Sequence, residues 1–148
     1  MSKRRSILLV LLVLLLGLTG FAGWRVFANR IDPGNPAQVA KGKALYGKHC
    51  ASCHGAELQG ETPDWRTRKP SGELPAPPHD ATGHTWHHPD EQLFAITKHG
   101  MARFAPADYK SAMPAFVGTL SDRDIRAVIA YIKSTWPEDI RRRQQERN

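Results

Sequence analysis

Apolar and polar positions split the chain into one continuous apolar block and a longer remainder patterned as helices and turns. From Ile7 to Trp24 no charge interrupts a run rich in Leu and Val. The pattern then breaks at Asp32-Pro33-Gly34, a turn signal. A helix start follows, with Asn35 as cap, Pro36 at the first helical position and Gln38 at the third. Val39, Gly42 and Tyr46 share one face of this helix, with Leu45 beside them. Gly42 in a helix interior costs ~1 kcal/mol relative to Ala, which a close helix–helix approach would justify. Residues 55–89 lose clear periodicity and hold Pro63, Pro70, Pro75, Pro77 and Pro78. So long a loop needs something to tie it down in a compact domain.

A second helix is predicted from His88-Pro89-Asp90-Glu91, with Pro89 at its first position and two acids where the helix dipole favours them; Gly100 stops it. A loop over 101–119 leads to a third helix capped by Ser121, on which Ile125, Val128, Ile129 and Ile132 recur at i, i+3, i+4, i+7. Trp136-Pro137 ends it, and the charged residues 138–148 read as a solvated helical extension. The expected class is all-α. Its parts are an N-terminal segment 1–28, a linker 29–35, a domain 36–137 and a charged tail 138–148.

The apolar block has two readings, a cleaved secretory signal and an uncleaved single-pass anchor. Its length is near the ~20 residues that cross a bilayer as a helix and exceeds the ~7–15 of a signal's apolar region. Val26-Phe27-Ala28 makes a poor cleavage site, and Phe21 and Trp24 suit an interface. The anchor is favoured. Either reading exports the remainder, with Lys3, Arg4 and Arg5 left on the cytoplasmic side.

Charge changes little in this picture. The net charge is +7, from 21 Lys and Arg against 14 Asp and Glu, among 148 residues. Much of the excess sits at the ends, in Lys3, Arg4, Arg5 and Arg25 and in Arg141, Arg142, Arg143 and Arg147. No basic stripe interleaved with aromatics appears, so nucleic acid is not an expected partner.

The chemistry is carried by Cys50-Ala51-Ser52-Cys53-His54, which holds both cysteines of the chain. Cys-x-x-Cys-His is the attachment pattern of a c-type haem: each thiol can add to one porphyrin vinyl group, and the histidine can reach the iron from one face. A thioredoxin-like redox pair would want strand–helix–strand patterning, which the flanks lack. The two thiols could also form a structural disulfide or half of a zinc site. Export, a helix leading into the motif and a methionine downstream all favour covalent haem c with its iron.

These residues resemble a small class I c-type cytochrome. The matching pattern is Gly42-x-x-x-Tyr46 before the Cys-x-x-Cys-His motif, Met113-Pro114 downstream, and a last helix carrying Tyr131. It covers roughly Pro36 to Pro137. The resemblance implies a few helices wrapped around one haem, with Gly42, Tyr46, Ala127 and Tyr131 at the crossing of the first and last helices. It implies one-electron transfer and no catalytic residues.

His54 and Met113 are the expected axial iron ligands. A thioether is a soft, neutral ligand that raises the potential. Met101 is the rival methionine, but it follows a helix-ending glycine and no Pro follows it. Bis-histidine ligation is a second rival, with His49, His79, His84, His87, His88 and His99 available. The group His84, His87 and His88 is either a second metal site or part of the haem rim. The resemblance also implies a proline carbonyl against the proximal imidazole, from Pro75 or Pro77. Trp65, Arg66, His84 and Trp86 are candidates for the propionate side, with surface or packing roles as the favoured alternative. The expectation is a membrane-anchored, single-haem electron carrier in the periplasm of a bacterium, working with redox partner proteins. A haem subunit of a larger oxidoreductase, and a catalytic or sensory haem protein with a labile sixth ligand, are the competing functions.

Overall fold

The apolar block folds as one helix, α1 (Lys3–Ala28). The computed structural model describes residues 3–28, 30–106 and 108–148, with side chains within α1 given at 7–21 and 23. The described apolar side chains run from Ile7 to Phe21, and all are exposed. Among the described residues no helix is long and apolar enough to cross a membrane. The expected spanning helix is therefore not found there: the described run stops short of the ~20 residues a bilayer requires. The side chains of Lys3, Arg4, Arg5, Trp24, Arg25 and Val26 to Ala28, which bear on orientation, interface and cleavage, lie outside the described ones, as does Asn29 of the linker.

Met1–Arg30 and Ile31–Asn148 are two separate compact units. In the second, α2 (Pro36–His49), α3 (Ala51–His54), α4 (Asp90–His99), α5 (Asp122–Ser134) and α6 (Glu138–Gln145) follow in order, with single 3-10 turns at Thr85–His87 and Met101–Arg103. Among the described residues there is no strand, and the all-α class holds.

Helix starts form where short polar side chains satisfy the free N–H groups of a first turn. Asn35 Oδ1 accepts from the Gln38 N–H at 3.0 Å. Gln38 Oε1 reaches past the cap to the Asp32 N–H at 2.8 Å, so it ties the preceding turn to α2. At α5, Ser121 and Asp124 complete a reciprocal capping box. Pro89 stands one place earlier than expected, as the cap of α4. Gly100 ends that helix at φ 74.

The main packing contact is α2 against α5. At its centre a β-carbon on Gly42 would overlap the Ala127 carbonyl, so only glycine lets the backbones approach this closely. Two apolar clusters flank the crossing. One is Tyr46, Leu58, Val128, Ile132 and Trp136. The other is Leu93, Phe116, Leu120, Ile125 and Ile129. Each such buried side chain stabilises the fold by roughly 2 kcal/mol. Lys41 Nζ also meets Asp124 Oδ1 at 2.6 Å across the crossing.

The long connector is held by its own backbone. Gly60 N–H donates to His54 O at 2.8 Å, Glu61 N–H to Ala76 O at 2.9 Å and His79 N–H to Leu58 O at 2.7 Å. Leu58 adopts φ 67, unusual for a side chain of its size. That turn buries its side chain in the first cluster while its carbonyl faces His79 and Asp80.

The charged end is helical over α6, and it is also docked. Gln144 is fully buried and donates to His88 O and to Asp90 Oδ1, and the same carboxylate oxygen takes Lys133 Nζ at 2.6 Å. Ile140 packs against the first cluster.

Candidate haem site

α2 runs directly into the attachment motif. Cys50 N–H donates to Tyr46 O as the last turn of α2, and His54 N–H donates to Cys50 O as α3 begins. Cys50 thus sits at the joint between two helices. Gly55 then ends α3 at φ 79. Its carbonyl accepts from the Tyr46 hydroxyl at 2.9 Å, which pins the far end of the motif to α2. Tyr46 is itself buried at the crossing, with its ring 5.5 Å from that of Tyr131. Burial, with Cys50 nearby, pushes its hydroxyl well above the usual range, so it stays protonated and donates.

Both cysteines are free thiols, Cys50 half-buried and Cys53 exposed. Burial and the neighbouring Cys53 push the Cys50 thiol up to about 11, so it is a neutral S–H at physiological pH. Cys50 is therefore not the lowered thiol of a redox-active Cys-x-x-Cys.

His54 is buried, and its Nδ1 lies 2.8 Å from Pro77 O. A carbonyl only accepts, so Nδ1 carries the proton and Nε2 presents a bare lone pair. Burial lowers the affinity of His54 for a second proton, against the opposing pull of the Pro77 bond and Glu61. Orientation by a carbonyl at the remote nitrogen is the arrangement expected of a metal-binding imidazole. Of the two prolines open in the sequence, Pro77 makes this bond.

The His79 ring stacks on His54, with centroids 4.0 Å apart and planes at 23°. His79 Nδ1 is 2.8 Å from the Thr85 hydroxyl, and its carbonyl accepts from the Trp136 indole N–H at 2.7 Å. Burial first, then His54 and His84, drives its pKa well below the usual histidine value. In the sequence His79 is one spare histidine among several; its place beside Pro77-Pro78 is the signal that could have marked it.

Met113 is half-buried against the second cluster, whereas Cys50 packs against the first. Leu45 of α2 packs against both, so one helix borders the two clusters. The Met113 loop is tied to the end of α4, with Phe116 N–H donating to Thr97 O and Val117 N–H to Lys98 O. Met101 lies in the 3-10 turn after Gly100.

The remaining histidines of the connector form a stack. Arg66 lies over Trp65, Trp65 stacks on His84 at 4.9 Å, His84 meets the edge of His88, and Trp86 stacks on His87 at 3.7 Å. His84 Nδ1 and the Trp86 indole N–H are buried without a protein partner. Among the described residues no group of three or more His, Cys, Asp or Glu could hold a metal ion.

No curated protein and no solved structure matches the chain. A family match covers residues 37–132, from the first turn of α2 to near the end of α5. A c-type cytochrome domain of this kind holds a covalently bound haem c with its iron. The donor set fits that group: two free thiols at the required spacing beside an imidazole whose Nε2 is left bare. The helical wrapping and the attachment motif agree with that match, and the chain belongs to the c-type cytochrome family described as cytochrome c oxidase, cbb3-type, subunit III.

Proposed function

We propose that the chain is a one-electron carrier in which Cys50 and Cys53 hold the haem and His54 and Met113 are the axial ligands. Haem c supplies an iron that cycles between ferric and ferrous. The residues of this chain orient and shield it. Pro77 O keeps the proton on Nδ1 of His54, so that Nε2 faces the metal as a lone pair. Met113 contributes a neutral thioether, which favours the ferrous state. Leu58 and Phe116 are buried in the clusters against which Cys50 and Met113 pack. The observation that carries this reading is the His54–Pro77 bond, because it fixes the tautomer that an Nε2 ligand needs.

Met113→Ala is the test. The ferric protein should lose the weak near-infrared charge-transfer band of a methionine–iron bond, and the ferrous variant should take up carbon monoxide that the wild type excludes. An unchanged band would remove Met113 from the assignment. Carbon monoxide binding by the wild type would favour the sensory or catalytic reading.

We place the domain in the periplasm of a bacterium, held at the inner membrane by α1. The described side chains of α1 are apolar on every side and exposed, as expected of a helix that needs an apolar surrounding. The uncharged sequence continues to Trp24 and the helix to Ala28. Tethering would raise the effective concentration of the domain near membrane-bound redox partners. Recovery in the soluble fraction, with α1 removed, would support the cleaved signal instead. The family description favours a second reading, a haem subunit of a larger oxidase. Co-purification from native membranes with an oxidase core would establish it.

A further inference from the structure

One hydrogen bond at Nδ1 limits the swing of a metal-bound imidazole about the metal–nitrogen axis but does not by itself fix the ring plane. A flat group on the face of the ring does. His79 occupies that place on His54, at 4.0 Å and nearly parallel. Apolar packing could fill the same volume without fixing an angle. His79 instead is held at four points. Its N–H donates to Leu58 O, its carbonyl takes the Trp136 indole N–H, its Nδ1 meets the Thr85 hydroxyl, and its ring lies edge-on to Tyr46. Thr85 is itself buried, with its hydroxyl 3.4 Å from Pro78 O. The residues that hold His79 come from the connector, from α2 and from the segment after α5. The orientation of the stack is therefore set by the whole domain rather than by the attachment motif.

We infer that His79 is a positioning residue, a stacked clamp that sets the plane of the His54 imidazole and through it the electronic state of the bound iron. This rests on His54 being the proximal ligand. The plane of an axial imidazole orders the haem-methyl proton resonances of a ferric low-spin protein, and it bears on the midpoint potential. Neither would move if His79 only filled space.

The test uses the haem-loaded protein with H79L, H79F and T85V. H79L should reorder the haem-methyl resonances and shift the midpoint potential. H79F keeps a flat ring on the face but, like T85V, lacks the Thr85 bond, and should bring the order back only as far as T85V does. T85V leaves the ring in place but frees its Nδ1, and should give a partial reordering. Wild-type resonances and potential in a folded, loaded H79L overturn the clamp. If H79L does not load haem, T85V decides alone, with partial reordering in favour and a wild-type pattern against. A wild-type spectrum without imidazole ligation would overturn the His54 assignment itself, and the clamp with it.

Discussion

The attachment side and the Met113 side of the site are built in different ways. Around His54, successive groups are tied: Cys50 and Gly55 to α2 and α3, Gly60 back to His54, Nδ1 to Pro77, and the ring face to His79. Around Met113 the ties are spaced more widely: Lys110 Nζ donates to Ser71 O at 3.1 Å before it, and Phe116 and Val117 bond the last residues of α4 after it. Met113 donates its N–H to the Ser111 hydroxyl at 3.2 Å and packs against the second cluster. A dense network fixes geometry, because each group is located by several others. A loop tied several residues away on either side fixes distance less strictly. On the proposed ligation one ligand is a fixed post and the other an adjustable cap, so ligand exchange should begin on the methionine side.

The most severe break of that contrast removes the post. Cys50→Ser with Cys53→Ser should convert the haem from fully retained to fully extractable by acidified organic solvent. Extraction of the wild-type haem would refute covalent attachment. Next in size is Gly42→Ala, which forces a β-carbon into the Ala127 carbonyl. Overpacking against backbone should cost about 3 kcal/mol in urea unfolding of the holoprotein, and a loss within ~0.5 kcal/mol would show that α2 can slide at the crossing. Met113→Ala should cost less, about 1–2 kcal/mol for a half-buried side chain, with the far-ultraviolet dichroism unchanged. If it unfolds the domain, the two sides are not independent.

The smallest effect is acidic. The Lys41 ammonium and the Ser121 hydroxyl hold Asp124 down at about 2, from an ordinary 3.8. A depressed carboxylate stabilises the fold above its unfolded value, and that contribution is lost as pH falls through the folded one. The wild-type urea midpoint should therefore fall between about pH 4 and 2 more steeply than that of Asp124→Asn. Parallel curves would mean that the exposed Lys41 contact is screened away.

How much of this could be read from the chain follows the range of the interactions. Asn35, Ser121 and Gly100 act on neighbours within a turn, and each marks a helix end within a residue of its place. Gly42 signals its own close approach, because a glycine inside a helix is costly elsewhere. The Cys50–His54 motif is likewise local. The connector is different, since Leu58 to His79 and Glu61 to Ala76 join backbone atoms, which leave no trace in side-chain pattern. The Gln144 contact with Asp90 and the His79 stack on His54 fail for a related reason. Each pairs residues whose own neighbourhoods look like solvated surface or loop.

The meeting of Gly42 with Ala127 also orders events in time. A ribosome delivers the Cys50–His54 segment long before the helix that will lie across α2, and contacts between such distant positions form late. Until then Tyr46 lacks its place against α5, and α2 stands uncovered on that face. The glycine therefore acts as a latch that can close only once α5 is present. An attachment apparatus would find its substrate still unwrapped, and the completed chain would then lock the cofactor in.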